Sequence, residues 1–182
     1  RVPLWPVTSM DSVDVGTYSA SGIPVLDLHE LAAGKLAALF ARQASRDLFD
    51  AHRLLTTATF DHDRLRFAFI LYGAMNRRDW RTISLDDVGC EPGELENQLL
   101  PVLSNTVRES FQPGWAEQMV TTCRERLASL VQFTPKEAEF LDRLLDDGEI
   151  VPSLLTDDTE MSARVQDHPL LRWKALNVQR HR

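Results

Sequence analysis

The pattern of apolar and polar residues divides the chain into two parts. The first part, residues 1–26, holds three short β-prone runs at 2–7, 13–18 and 23–26. Such runs are typical of strands, but strands this short need partners before they form a stable sheet. The two prolines in 2–7 place that run at a sheet edge or in an extended arm. We therefore predict a β lead-in over 1–26 whose strands either pair marginally with one another or complete a sheet formed by upstream sequence.

The second part, residues 27–182, follows the 3.6-residue period of helices. The clearest start is Thr134-Pro135-Lys136-Glu137, with a capping threonine, a proline at the first helical position and a glutamate at the third. Asp27 and Glu30 predict a second capping box. Predicted helices cover 28–42, 46–58, about 61–75, 93–103, 115–130, 135–147 and two short segments split by His168-Pro169, with a long polar loop over 77–92. The predicted fold class is mainly α (α+β), with short lead-in strands followed by a multi-helix bundle.

Composition and charge are those of an ordinary globular protein, with 43% hydrophobic and 26% charged residues. No stretch approaches the roughly eighteen apolar residues of a membrane span, and no secretory signal is visible. Cys90 and Cys123 are too few for a disulfide framework and fit a reducing cytoplasm. A net charge of −7 argues against a surface that binds nucleic acid everywhere, so any such contact must be local.

One predicted helix places a lysine on its apolar face. Lys35 falls near the centre of the apolar stripe of helix 28–42, where burial without a partner would be costly. The next helix places Asp47 at the edge of its own apolar stripe, with Asp50 one turn further along. Since only residues 43–45 connect the two helices, we expect Lys35 and Asp47 to face a common cleft. A structural ion pair fits this pattern, and so does a phosphate-binding lysine beside an aspartate that orients it.

A second local feature is Trp80, which lies among Arg77, Arg78 and Arg81. An aromatic ring between arginines can stack on a base and hold a nucleic-acid strand, so these four residues are the predicted RNA contacts. The alternative is a tryptophan that plugs the loop onto the protein body. No metal site is predicted, because the five histidines lack the spacing of a zinc site.

The helices around Lys35 also carry a motif. The run Leu31-Ala32-Ala33-Gly34-Lys35-Leu36-Ala37-Ala38-Leu39 is followed by Arg42 and by Arg46-Asp47-Leu48-Phe49-Asp50. Near the end of the chain stands His168-Pro169-Leu170-Leu171-Arg172-Trp173-Lys174. Both runs resemble motifs in the C-terminal, helical portion of the AbiEii/AbiGii-type nucleotidyltransferase toxins, which are related to polymerase-β-like nucleotidyltransferases.

This resemblance implies a function and a set of site residues. Toxins of this family act in toxin–antitoxin or phage-defence systems and transfer a nucleotide from a triphosphate to RNA, with tRNA 3′ ends as a known target class. By motif position, Lys35 and Asp47 are the catalytic residues, supported by Asp50, Arg46 and Arg42. The resemblance further implies Mg²⁺ and NTP in the complete enzyme, tRNA or another RNA as substrate, a cognate antitoxin, no membrane and a cytoplasmic location.

The chain departs from the family pattern at the metal site. It contains no Gly-Ser turn followed by an Asp-x-Asp pair; Asp61-His62-Asp63 has the spacing but follows the lysine motif and is interpreted as a helix cap. We therefore expect the C-terminal helical part of such a toxin, without bound cofactor and inactive as an isolated chain. The alternative is a non-catalytic helical interaction module that binds a partner protein or RNA.

Overall fold

The computed structural model describes residues 2–91 and 93–181. Arg1, Pro92 and Arg182, which are end points of predicted segments, lie outside the described residues. The strands are β1 (Thr8–Met10) and β2 (Ile23–Val25), and the helices are α1 (Leu28–Arg42), α2 (Ser45–Thr57), α3 (His62–Ala74), α4 (Asn105–Glu109), α5 (Trp115–Leu127), α6 (Pro135–Asp142), α7 (Thr159–Gln166) and α8 (Pro169–Arg180). Short 3₁₀ turns cover Trp80–Thr82, Leu85–Asp87, Leu100–Val102 and Pro152–Leu154, and π turns cover Leu95–Leu99 and Arg143–Asp147. The prediction of a mainly helical protein behind a short β lead-in is confirmed.

The lead-in forms a small antiparallel sheet in which Thr8 pairs with Val25 and Met10 with Ile23. The middle run contributes only a bridge between Val15 and Tyr18. Residues 2–7 form no strand, so of the two predicted places for this run the extended arm is the one observed. Its two prolines lack the N–H that a ladder needs. Instead, the fully buried Leu4 fixes this segment to the helical body.

Helix α1 spans the predicted 28–42, and Asp27 accepts a hydrogen bond from the His29 backbone N–H at 2.9 Å. The predicted capping box is wrong, because the Glu30 side chain turns into the protein and is fully buried. Its carboxylate accepts hydrogen bonds from the Leu4 N–H at 3.0 Å and from the Tyr72 hydroxyl at 2.7 Å. A buried carboxylate needs such donors, and this one joins the lead-in, α1 and α3.

Helices α1, α2 and α3 form the main part of the core, and α1 packs against both of the others. Helix α3 begins after Asp61, whose side chain accepts from the Arg64 N–H at 2.9 Å, which confirms the predicted cap. Helix α2 begins at Ser45, one residue before its predicted start, and the Ser45 N–H donates to Glu94 at 2.9 Å. The continuous helix predicted over 93–103 is wrong, since this segment forms a π turn and a 3₁₀ turn with Pro101 inside it.

Residues 75–82 follow α3 and are anchored by Trp80. This side chain is fully buried, with its ring centroid 5.1 Å from that of Phe69 and 6.0 Å from that of Phe40. Gly73 makes room for it, because a Cβ at that position would lie 1.9 Å from the indole ring. The segment after α3 is therefore held at a fixed place on the core.

The C-terminal helices bring α8 beside that same segment. The predicted start of α6 is confirmed by a capping box between Thr134 and Glu137, and the helical run stops at Gly148, where φ is 67°. The Gly148 carbonyl accepts a hydrogen bond from Gln179 at 2.8 Å, and Lys174 donates to the Asn76 carbonyl at 2.8 Å. Among the described helices, none combines the length and the apolar character that a membrane crossing requires.

Candidate phosphate-binding groove

A groove of about 750 Å³ opens where α1, residues 75–78 and the start of α8 meet. Its size lies within the roughly 300–1,000 Å³ that is typical of ligand pockets. Gly34, Ala38 and Ala41 recur every three or four residues along α1 and line its floor. Because these side chains are small, the groove follows the helix axis for about 10 Å, the rise of seven helical residues.

The charged residues that line the groove are cationic. They are Lys35, Arg42, Arg77 and Arg78, and no aspartate or glutamate belongs to the described lining. The whole chain carries a net charge of −7, so a lining whose charged groups are all cations departs from the overall balance. Carboxylates outside the lining pair with three of the four: Asp50 with Lys35, Asp47 with Arg42 and Asp87 with Arg78. A concave site with charge of one sign focuses the electric field and attracts ligands of the opposite sign. The groove is therefore suited to an anion.

Carboxylates of α2 lie behind two of these cations. The Lys35 ammonium lies 2.5 Å from Asp50. Arg42 donates two hydrogen bonds to Asp47, at 2.8 Å and 2.6 Å, and the hydrogen bond and charge of Asp47 raise the pKa of Arg42. Since the Asp47 side chain is only 7% exposed, this bidentate pair connects the end of α1 to the start of α2.

The predicted arrangement of Lys35 and Asp47 in one cleft is wrong. Lys35 lines the groove, whereas Asp47 is buried beneath Arg42 and does not belong to the lining. The reason is the short connection between the helices, which places the first turn of α2 against the last turn of α1. Asp50, one turn further from that connection, is the carboxylate that reaches Lys35.

The two arginines after α3 differ in how they are held. Arg78 donates to the Phe40 carbonyl at 2.7 Å and to Asp87 at 2.8 Å, so its guanidinium has a fixed place. Arg77 is exposed, and its side chain forms no hydrogen bond or ion pair with any described residue. An anion that enters the groove can therefore bind Arg77 without displacing a carboxylate.

The remaining predicted site residues lie elsewhere. Trp80 is fully buried, so its prediction as an RNA contact is wrong. The alternative holds, in which this tryptophan packs its loop onto the protein body. Arg81 stays a prediction; Asp79, Asp146 and Asp142 surround its guanidinium and raise its pKa, so a phosphate there would compete with three carboxylates. Arg46 lies outside the groove lining and donates to the Gln98 carbonyl at 3.5 Å.

Helix α8 forms part of the groove, a contribution that was not predicted from the sequence. His168 caps α8 and Leu170 follows in its first turn, and both line the groove. The signal in the sequence is the motif from His168 to Lys174, which lies far from Lys35 along the chain. The shared groove lining and the hydrogen bond from Lys174 to the residue 76 carbonyl bring these distant segments together.

Comparison with protein families identifies the chain. The family described as "Nucleotidyl transferase AbiEii toxin, Type IV TA system" matches residues 5–147, which include α1, α2 and most of the groove. The chain belongs to the AbiEii family. The resemblance seen in the motifs of α1 and α2 is thereby confirmed, while the AbiEii match ends before α8. Comparisons with curated proteins and with solved structures gave no match.

The AbiEii family implies nucleotide and metal chemistry, and the described residues fit only part of it. Four cations around a groove fit the phosphates of a nucleotide. Mg²⁺ prefers carboxylate oxygens and phosphates as ligands, but no group of three or more His, Cys, Asp or Glu among the described residues could hold a metal. Asp47 and Asp50 already bind Arg42 and Lys35. The donor set therefore does not fit a metal ion.

Proposed function

We propose that this AbiEii-family chain binds the phosphates of an NTP and of an RNA, with tRNA as the expected class, in the cationic groove. The observation that carries the proposal is a groove lined by four cations and no described carboxylate in a chain of net charge −7. Nucleotidyl transfer depends mostly on positioning phosphates and neutralising their charge. A groove of this kind serves both requirements.

The proposal gives the groove residues different roles. Lys35 and Arg77 contact phosphate, because both are exposed in the groove. Asp50 orients Lys35, and Asp47 orients Arg42. We therefore assign Asp47 a positioning role in place of the catalytic role that its motif position implied. Lys35 keeps its implied role as the residue that acts on the substrate.

The proposal limits what this chain does by itself. We assign phosphate binding to it, and we expect no transferase activity from these 182 residues alone because they contain no Gly-Ser turn followed by an Asp-x-Asp pair. A cognate antitoxin as partner and a cytoplasmic location belong to the same proposal, and the Type IV toxin–antitoxin description of the family supports them.

The test places a carboxylate on the floor of the groove. Ala38→Glu changes a lining residue that makes no polar side-chain contact, and Ala163→Glu repeats the change on the exposed surface of α7, outside the groove. Like-charge contacts cost enough that Ala38→Glu is expected to weaken binding of ATP and of a single-stranded RNA about tenfold or more. Ala163→Glu is expected to bind like the unsubstituted chain. Fluorescence anisotropy with labelled ligands measures both.

Two results would contradict the proposal. If neither ATP nor RNA binds the unsubstituted chain, or if both substitutions weaken binding equally, the groove is not the site. RNA binding that ignores Ala38→Glu would instead favour the alternative of a non-catalytic interaction module. A second assay incubates the chain with labelled NTPs, Mg²⁺ and total tRNA, and incorporation that Lys35→Ala abolishes would disprove the expected inactivity.

A further inference from the structure

Trp173 is an exposed indole on the helix that forms one wall of the groove. It is 57% exposed, whereas Trp80 is fully buried. The buried face of α8 is formed by Leu171 and Ala175, so the fold does not use Trp173 for packing. Large exposed aromatic side chains are enriched where proteins bind partners. Trp173 is therefore a candidate for ligand binding.

The geometry of α8 places Trp173 at the rim of the groove. Leu170 lines the groove, and residues three apart on a helix are neighbours on its surface. Helical side chains lean towards the N-terminus of their helix, so the indole leans over the turn that contains Leu170. Lys174 donates to the carbonyl of Asn76, another lining residue, which fixes the rotation of α8 about its axis.

The charges around Trp173 favour an anionic ligand. Helix α8 contains Arg172, Lys174 and Arg180 and no acidic residue. Arg172 lies 3.6 Å from Asp167, just before the helix, and the Asn76 carbonyl holds the Lys174 ammonium. Tyr72, the aromatic residue within the groove lining, is only 9% exposed and donates its hydroxyl to Glu30. For a base whose phosphate lies in the groove, the exposed aromatic surface is therefore the Trp173 indole at the rim.

We propose that Trp173 stacks on a nucleobase of single-stranded RNA whose phosphates lie in the cationic groove. This inference rests on the proposed function and adds the substrate class: an unpaired strand, which offers a free base face. Proteins that bind single strands combine a cationic groove for the backbone with aromatic side chains for the bases. A free phosphate chain would use the groove without using Trp173.

The test compares RNA with a ligand that has no base. Trp173→Leu is expected to weaken binding of a single-stranded RNA oligonucleotide about tenfold, as the loss of one stacked base does. The same variant is expected to bind inorganic tripolyphosphate as the unsubstituted chain does, and Trp173→Phe is expected to keep part of the RNA affinity. Tyr18→Leu is the matched control, because Tyr18 is an aromatic residue that is 81% exposed in the lead-in, outside the groove lining.

The outcomes separate this inference from the proposed function. RNA binding that ignores Trp173→Leu but is lost in Ala38→Glu would overturn the stacking role and leave the groove in place. Equal losses of RNA and tripolyphosphate in Trp173→Leu, or an equal effect of Tyr18→Leu, would also overturn it. If neither ligand binds the unsubstituted chain, the proposed function itself fails. Weaker binding of double-stranded RNA, insensitive to Trp173→Leu, would support the preference for an unpaired strand.

Discussion

The salt dependence of RNA binding follows from the number of cations in the groove. Each phosphate that a protein neutralises on a single strand contributes about −0.7 to the slope of log K against log salt concentration. Four cations line the groove. Contact by the two cations assigned to phosphate, Lys35 and Arg77, gives a slope of about −1.4, and contact by all four gives about −2.8. A markedly steeper slope would require cations outside the groove.

Removing single cations tests this count. Arg77→Ala is expected to reduce the magnitude of the slope by about 0.7. Its stability is expected to stay unchanged, because Arg77 has no described partner. Lys35→Ala is expected to change the slope by a similar amount but to lose more affinity, since it leaves the carboxylate of Asp50 unpaired beside the phosphates. Arg126→Ala is the matched control, because Arg126 is exposed on α5 outside the groove.

Fluorescence anisotropy with a labelled single-stranded RNA, at several salt concentrations between roughly 50 and 200 mM, gives the slopes. Thermal unfolding of each variant shows whether the fold is intact. The reasoning is refuted if Arg77→Ala leaves the slope unchanged. It is equally refuted if Arg126→Ala reduces the slope as much as Arg77→Ala does, because the charge would then act without regard to the groove.

Three further predictions concern stability, and urea unfolding measures all of them. Gly73→Ala is expected to lower the free energy of unfolding by about 2–4 kcal/mol, because the added Cβ overpacks against Trp80. Gly89→Ala is the neutral control, since nothing lies within 4 Å of its added Cβ. Equal stability of the two variants would contradict this packing. Asp47→Ala is expected to lower the free energy of unfolding by about 1.5–3 kcal/mol, since it removes charge-assisted hydrogen bonds from a buried carboxylate. Asp50→Ala is expected to lower it by less than about 1 kcal/mol, since Asp50 is only half-buried and its partner Lys35 is exposed; the reverse order would contradict this reasoning. Burial raises the pKa of Glu137, but hydrogen bonds from Arg66 and Thr134 outweigh it and hold the pKa below its usual 4.5. The stabilising contribution of Glu137 is therefore complete above pH 4.5 and is lost as the pH falls through the lowered pKa, so Glu137→Gln should approach the unsubstituted chain in acid; a gap that is constant with pH would refute this.

Local signals predicted much of the fold. The bounds of α1 and the capping box at the start of α6 follow from neighbouring residues, so the sequence contains what decides them. The side chain of Glu30 could not be placed in this way, because its hydrogen-bond donors come from Leu4 and Tyr72. Those donors are 26 and 42 residues away from it in the chain.

In the site, too, local features could be predicted from the sequence and contacts between distant segments could not. Periodicity located Lys35 on a helix face, but its partner depends on how α2 turns against α1, which no sequence period encodes. The position of Trp80 likewise depends on the space above Gly73, a tertiary feature. The arginines next to Trp80 in the sequence predicted an RNA contact there. The exposed indole is instead that of Trp173, on a helix near the other end of the chain.

The ion pairs between α1 and α2 have a consequence for genetics. Asp47 both orients a groove cation and joins two core helices, whereas Arg77 has no such second task. In a selection for cells that survive an active AbiEii-family toxin with this groove, alleles at Asp47 would be recovered with reduced protein abundance. Alleles at Arg77 would be recovered at normal abundance. Immunoblots of the survivors would therefore distinguish residues that contact substrate from residues that stabilise the fold, without any enzyme assay.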